Sequence, residues 1–285
     1  MLASVVLQRA MLVGTLVLTL TLTSTDALPA PTVFVSIPPQ KSFIERIAGD
    51  LLQVEIMVPA GASPATHEPT GRQMLALAEA AAWFRIGVPF EEAWAPRIES
   101  NFDHLQVIDT RAGIDLIPMG AGEGRRDPHI WLSPRLVEQQ AETIRDALIE
   151  LFPEQAAAFQ AGHADFAADL RALDADLTAR FAQLSEPRFM IYHPALGYFA
   201  RDYGLEQIAI EIHGQQPGPA SLTRIIEAAR AADIRVIFVQ QEFGQSAARA
   251  VARAIDGEVI TIAPLAEDAL ENIRDLAEAL LRVLE

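Results

Sequence analysis

The sequence predicts an α/β protein of two lobes, each a mostly parallel sheet flanked by helices, bridged by one long spine helix. Three observations carry that expectation. Short β-branched runs alternate with segments of helical periodicity in both halves of the chain, the grammar of parallel βαβ units. One run, Val236-Ile237-Phe238-Val239, is apolar throughout, as a strand covered on both faces is. Between the halves, Phe159, Phe166, Leu170, Leu173, Leu177, Phe181 and Leu184 recur at helical spacing.

Taken in order, residues 1–27 read as a secretory signal. Arg9 supplies positive charge, Ala10 to Leu22 form an apolar run, and Thr25-Asp26-Ala27 offers a small-residue cleavage site. The run is short of the ~20 apolar residues that span a bilayer. Cleavage there leaves an exported, soluble, periplasmic product. The N-terminal lobe is expected over 32–152. Its strands fall at Val33–Ile37, Val54–Val58, Trp83–Val88 and Gln106–Asp109, with helices at Ser42–Ala48 and Arg72–Ala81 and a Gly/Pro-rich loop from Pro59 to Pro69. A linking helix follows over 153–185, opened by Pro153, whose missing N–H costs nothing in a first turn. At 1.5 Å per residue it would be about 45 Å long, a rigid spine; the alternative is an ordinary domain helix bent at Gly162. The C-terminal lobe, 186–285, repeats the grammar. Strands are expected at Arg188–Tyr192, Gln207–Ile212, Val236–Val239 and Glu258–Ile262. Helices are expected up to Tyr203, at Leu222–Ala232 and Ala247–Ile255, and from Ala266 to Leu284.

Composition bounds the function. The 285 residues are 51% hydrophobic, ample for a packed core. The 22 basic and 38 acidic residues leave a net charge of −16, which Arg9 and Asp26 do not alter when the signal is removed. Such a surface repels phosphate backbones, so nucleic acid is not an expected partner. Cysteine is absent, which excludes disulfides, thiolate zinc sites, a cysteine nucleophile and a bacterial lipoprotein anchor.

In open α/β sheets ligands bind beyond the carboxyl ends of strands. Four of the six histidines fall there or in irregular segments nearby: His67 in the loop after the second strand, His129 in Asp127-Pro128-His129-Ile130-Trp131-Leu132-Ser133-Pro134, His193 in Tyr192-His193-Pro194, and His213 in Glu211-Ile212-His213-Gly214. Glu242 follows the strand ending at Val239-Gln240. Three imidazoles and one oxygen form a common tetrahedral zinc environment. His104 and His163 are given no role.

At these residues the chain resembles the metal-binding, zinc/manganese-type class of periplasmic solute-binding proteins of ABC transporters. The resemblance is carried by Glu68-Pro69-Thr70 with Arg72-Gln73-Met74, Ile86-Gly87-Val88-Pro89-Phe90-Glu91, Asp127 to Pro134, His193-Pro194-Ala195-Leu196-Gly197-Tyr198-Phe199, and Pro264-Leu265-Ala266-Glu267-Asp268, in that order over nearly all of the mature chain. It implies two lobes joined by a long helix, a transition metal between them, and delivery of that metal to a membrane permease. His129 and His193 match the second and third ligand positions of the family. The first and fourth do not carry over. Where the family reads Pro-His-Thr-Tyr-Glu-Pro-Thr, this chain has Ala65 at the ligand position and His67 two residues later; where the family has an aspartate before Pro-Leu, this chain has Ala263.

Two readings follow. Either His67 and Glu242 replace the lost ligands, with His213 able to replace either, or the site is degraded or serves another cargo or partner. The expected cargo is a divalent transition metal, zinc first, with manganese, iron and nickel open. The segment from Gly113 to Arg126 contains no histidine, unlike the His-rich loop of many zinc-specific relatives. The expected unit is a monomer. The rival from another class, a secreted zinc hydrolase using Glu68 or Glu242 as base, lacks a His-Glu-x-x-His helix and a Gly-x-Ser-x-Gly turn; Glu68 instead is expected to cap the next helix or brace its loop.

Overall fold

The computed structural model describes residues 30–119, 125–185, 187–211 and 215–285. The signal segment 1–27 and His213 lie outside them. The first half contains β1 (Thr32–Val35), α1 (Pro38–Ala48), β2 (Gln53–Ile56), α2 (Gly71–Ala78), β3 (Ala82–Arg85), α3 (Pro89–Asn101), β4 (Gln106–Asp109) and α4 (Pro134–Leu151). The long helix α5 (Ala156–Phe181) follows. The second half is β5 (Arg188–Ile191), α6 (Gly197–Tyr203), β6 (Glu206–Ala209), α7 (Pro219–Ala231), β7 (Val236–Gln240), α8 (Ser246–Ala254), β8 (Glu258–Ile262) and α9 (Ala269–Leu284). Both four-stranded sheets are parallel and share one topology, β2-β1-β3-β4 and β6-β5-β7-β8. Each half therefore has its order reversal beside its first strand.

The strand positions expected from the sequence fall within a residue or three of those observed. Helix starts differ more, for a local reason. α1 begins at Pro38 rather than Ser42: Pro38 and Pro39 occupy the first helical turn, where a proline loses nothing. The Gln40 amide oxygen then accepts the Ser36 and Ile37 N–H groups at 3.1 and 3.3 Å. α2 starts on a capping box, with Thr70 accepting from the Gln73 N–H and Gln73 accepting from the Thr70 N–H. Thr70 rather than Glu68, which is exposed, thus caps this helix. The Ile86–Glu91 motif is also explained locally. The fully buried Glu91 carboxylate accepts the Ile86 and Gly87 N–H groups at 3.0 and 2.8 Å and fixes the turn into α3.

The spine is α5, 26 residues long and entered through a 3₁₀ turn at Pro153–Gln155. Its Phe159, Phe166, Leu170, Leu173, Leu177 and Phe181 are all buried. Gly162 is a point of close approach: a Cβ there would overlap the Ile47 carbonyl at the end of α1. One continuous apolar cluster runs from Val33 and Phe84 in the first sheet, through Phe166 and Phe181 on α5, to Phe189 and Phe238 in the second and Leu280 on α9. A smaller cluster, built on Met190, Ile237 and Val239 with Val251 and Ile255, covers the other face of the second sheet. α9 crosses back to pack on α1 and α5. Its approach is pinned by a Lys41–Glu267 ion pair of 2.5 Å.

Candidate metal centre

His193 is the second residue beyond β5, at the point where strand order reverses between β5 and β7. Gln240, which ends β7, clamps its backbone: the amide donates to the His193 carbonyl at 2.6 Å and accepts the His193 N–H at 3.3 Å. Glu211, just past β6, accepts from His193 Nδ1 at 2.6 Å. Phe243 stacks on the ring at 4.8 Å and 20°. Burial, the largest influence, holds the His193 pKa below its ordinary value against the opposing Glu211 hydrogen bond.

His129 approaches from the first half, at the start of a 3₁₀ turn, Ile130–Leu132, that leads into α4. One carboxylate oxygen of Asp127 accepts both its backbone N–H, at 2.9 Å, and its Nδ1–H, at 2.6 Å. Asp127 is itself held from the second half of the chain. The Tyr198 hydroxyl on α6 donates to the Asp127 carbonyl at 2.7 Å and accepts the Ile117 N–H at 3.1 Å. Burial raises the Tyr198 pKa to about 12, so it remains a donor.

Both imidazoles therefore have Nδ1 committed to a carboxylate, which fixes the tautomer and leaves the Nε2 lone pair for another partner. Among the described residues neither Nε2 is hydrogen-bonded. The ring centroids lie 5.2 Å apart with planes at 68°. Two imidazoles binding one zinc ion tetrahedrally through Nε2, at Zn–N of about 2.0–2.1 Å, place their ring centres about 5 Å apart. The pair has the spacing of half a tetrahedral site.

A family model described as the zinc-uptake complex component A, periplasmic (ZnuA), matches residues 33–283. The chain belongs to this family. A crystal structure of a zinc-bound deletion mutant of ZnuA superposes with a TM-score of 0.86 at 37% identity, covering 90% of this chain and 98% of that one. A protein of Chlamydia muridarum described as metal-binding is 31% identical over 251 residues, 87% of this chain and 89% of its own length. The manganese-binding lipoprotein MntA of Halalkalibacterium halodurans is 28% identical over 226 residues, 76% of this chain and 75% of its own.

Within this ZnuA-family chain the other candidate ligands stand as follows. His67 lies in the loop before α2, edge-on to Phe90 with centroids 5.3 Å apart. Burial lowers its pKa, and its Nε2 is a buried atom without a hydrogen-bond partner. Glu242, beyond β7 and next to Phe243, has a buried Oε1 that is likewise unpartnered. Among the described residues neither makes a hydrogen bond or ring contact with the histidine pair, and no set of three His, Asp or Glu side chains is gathered tightly enough to hold an ion. Ala65 is exposed. The Ala263-Pro264 turn is seated beside the pair: the Pro264 carbonyl accepts from Trp131 Nε1 at 2.9 Å, and the Trp131 ring lies 4.9 Å from that of His129. His104 is bound to the Ala78 carbonyl, and His163 lies on α5 beside Arg145.

Sequence reasoning missed Asp127, Glu211, Gln240 and Tyr198 as members of the site. A signal existed for three of them. Asp127 precedes His129 by two residues, within reach of its N–H, while Glu211 and Gln240 sit at the ends of strands that flank β5.

Proposed function

We propose that this protein captures a divalent transition metal outside the cytoplasm and delivers it to an ABC import permease, with zinc as the first cargo and no catalysis. The observation that carries the proposal is the His129–His193 pair. Its 5.2 Å spacing and its two Nδ1–carboxylate contacts are those of a histidine–zinc site with its supporting carboxylates. Imidazole-rich sites suit zinc, and also iron and nickel, better than manganese, which prefers oxygen. The protein acts as a monomer in the periplasm after loss of residues 1–27. Asp127, Glu211 and Gln240 at the pair are spent on orientation, and in this reading Glu242 serves as a ligand rather than as the general base a hydrolase would need.

In this reading His67 and Glu242 complete the site in place of the family positions held by Ala65 and Ala263. Their support is physical: a buried polar atom without a partner needs an explanation, and a bound cation satisfies an imidazole Nε2 and a carboxylate oxygen alike. His213 is the alternative donor. Elemental analysis and zinc titration of the purified protein, beside His129→Ala, His193→Ala, His67→Ala and Glu242→Ala, test the whole set. One equivalent of metal is expected, with the first two variants losing tight binding and the second two weakening it. A protein that holds no metal at neutral pH sinks the capture reading. Unchanged binding in His67→Ala removes only that ligand.

A further inference from the structure

α6 comes from the second half of the chain, yet it holds the first-half segment that carries His129. Side chains of Tyr198, Asp202 and Tyr203 make the attachment. The Tyr198 hydroxyl bridges the Asp127 carbonyl and the Ile117 N–H. Ser133 donates to the Asp202 carboxylate at 2.5 Å. The Arg135 guanidinium, in the first turn of α4, lies 5.5 Å over the Tyr203 ring, whose hydroxyl donates to Asp174 of α5 at 3.0 Å. Gly197, the first residue of α6, meets the Asp127 side chain directly: a Cβ built there would stand 2.8 Å from Asp127 Oδ2. The other oxygen of that carboxylate is the one that binds His129 Nδ1. His193 lies four residues before Gly197 on the same stretch of chain, so both imidazoles are referred to one short helix.

We infer that Gly197 and Tyr198 are positioning residues for metal capture, setting the Asp127 carboxylate and through it the His129 ring at a fixed distance from His193. This rests on the reading that the histidine pair binds the cargo. The absence of a side chain at 197 lets one carboxylate oxygen of Asp127 approach the start of α6 closely, and the Tyr198 hydroxyl holds the Asp127 carbonyl in place. The metal then meets two ligands already spaced for it and pays no ordering cost for either.

The test compares Gly197→Ala, Tyr198→Phe and Tyr203→Phe with the parent protein and with His129→Ala and His193→Ala. Three quantities are read: the zinc Kd by chelator competition, the visible spectrum of the cobalt(II) form, and the thermal midpoint of the metal-free protein. Partners behind metal ligands typically change affinity by roughly 10–100-fold. A loss in that range is expected for Gly197→Ala and Tyr198→Phe, with an altered cobalt spectrum. Tyr203→Phe breaks a bond of α6 that does not reach Asp127, so it should lower the thermal midpoint and leave Kd and spectrum as they are. If Gly197→Ala does not fold, Tyr198→Phe decides alone. Zinc affinity and cobalt spectrum unchanged in the foldable variants, with binding lost in the two histidine variants, would overturn the positioning role and leave the capture reading intact. Equal weakening by Tyr203→Phe would also overturn it, because general loosening of α6 would then be the cause. Parent-like binding in both histidine variants would overturn the capture reading and this inference with it.

Discussion

His193 shows how one residue's surroundings set the conditions for binding. A metal takes the neutral imidazole, so protons compete for it. Burial keeps the His193 pKa below the ordinary value of about 6.5, and the Glu211 contact resists that shift without reversing it. The sign is fixed: a lowered pKa keeps the ring neutral to a lower pH, so proton competition at His193 should weaken zinc binding only below about pH 6.5 and little between there and pH 8. Zinc titrations across that range check the expectation. A Kd that already worsens from pH 8 to pH 7 would mean that the titrating ligand is not the buried His193. At this scale the sequence revealed the two facing histidines and hid the groups that orient them. His193 could be found because an imidazole just past a strand is chemically explicit, and His129 because it sits in an irregular segment between Pro128 and Pro134. Tyr198 could not, because its bond to Asp127 spans 71 positions of chain and nothing at either end announces it.

Elements were legible in proportion to how local their causes are. Strands β4 and β8 match the sequence expectation residue for residue, since β-branched runs and their punctuation are local. α3 and α4 were not anticipated. α3 carries Pro96 in its interior and has little amphipathic pattern, and α4 begins on Pro134 behind the buried cap Ser133. α5 was legible as a helix, but the role of Gly162 as a point of close approach was not. At that glycine α1 ends against α5 with its Ile47 carbonyl where a Cβ would be. Gly162→Ala gains about 1 kcal/mol of helix propensity. It must also drive two backbones apart, an overpacking strain of about 1–3 kcal/mol. The second effect meets backbone rather than a side chain that could swing away, so a net loss of up to about 2 kcal/mol is expected. Gly71→Ala at the start of α2, where a Cβ meets nothing within 4 Å, should be neutral. Denaturant midpoints of the two variants separate the effects, and equal midpoints would refute the close-approach account.

For the molecule as a whole, the question is what moves when metal arrives. Two sheets of identical topology suggest lobes that close on a hinge, and the repeated alternation of strands and helices was readable from the sequence. The packing argues otherwise. A single apolar cluster passes through both sheets and the spine, α9 returns from the second half to cover α1, and α6 fastens the His129 segment to the half that holds His193. Moving one sheet against the other would open that cluster, and exposing apolar surface costs about 25 cal/mol per Å². What is left free to respond lies at the rim: the loop of residues 59–69 with His67, and residues 241–245 with Glu242, where partly exposed backbone has few bonds to break. Zinc should therefore slow amide exchange in those two segments and leave the strands, α5 and the radius of gyration unchanged. Exchange measured by mass spectrometry with and without zinc, beside small-angle scattering, tests this directly. Compaction of the whole chain on zinc addition would mean that the shared core is not the constraint, and that capture works by closing a cleft between the halves.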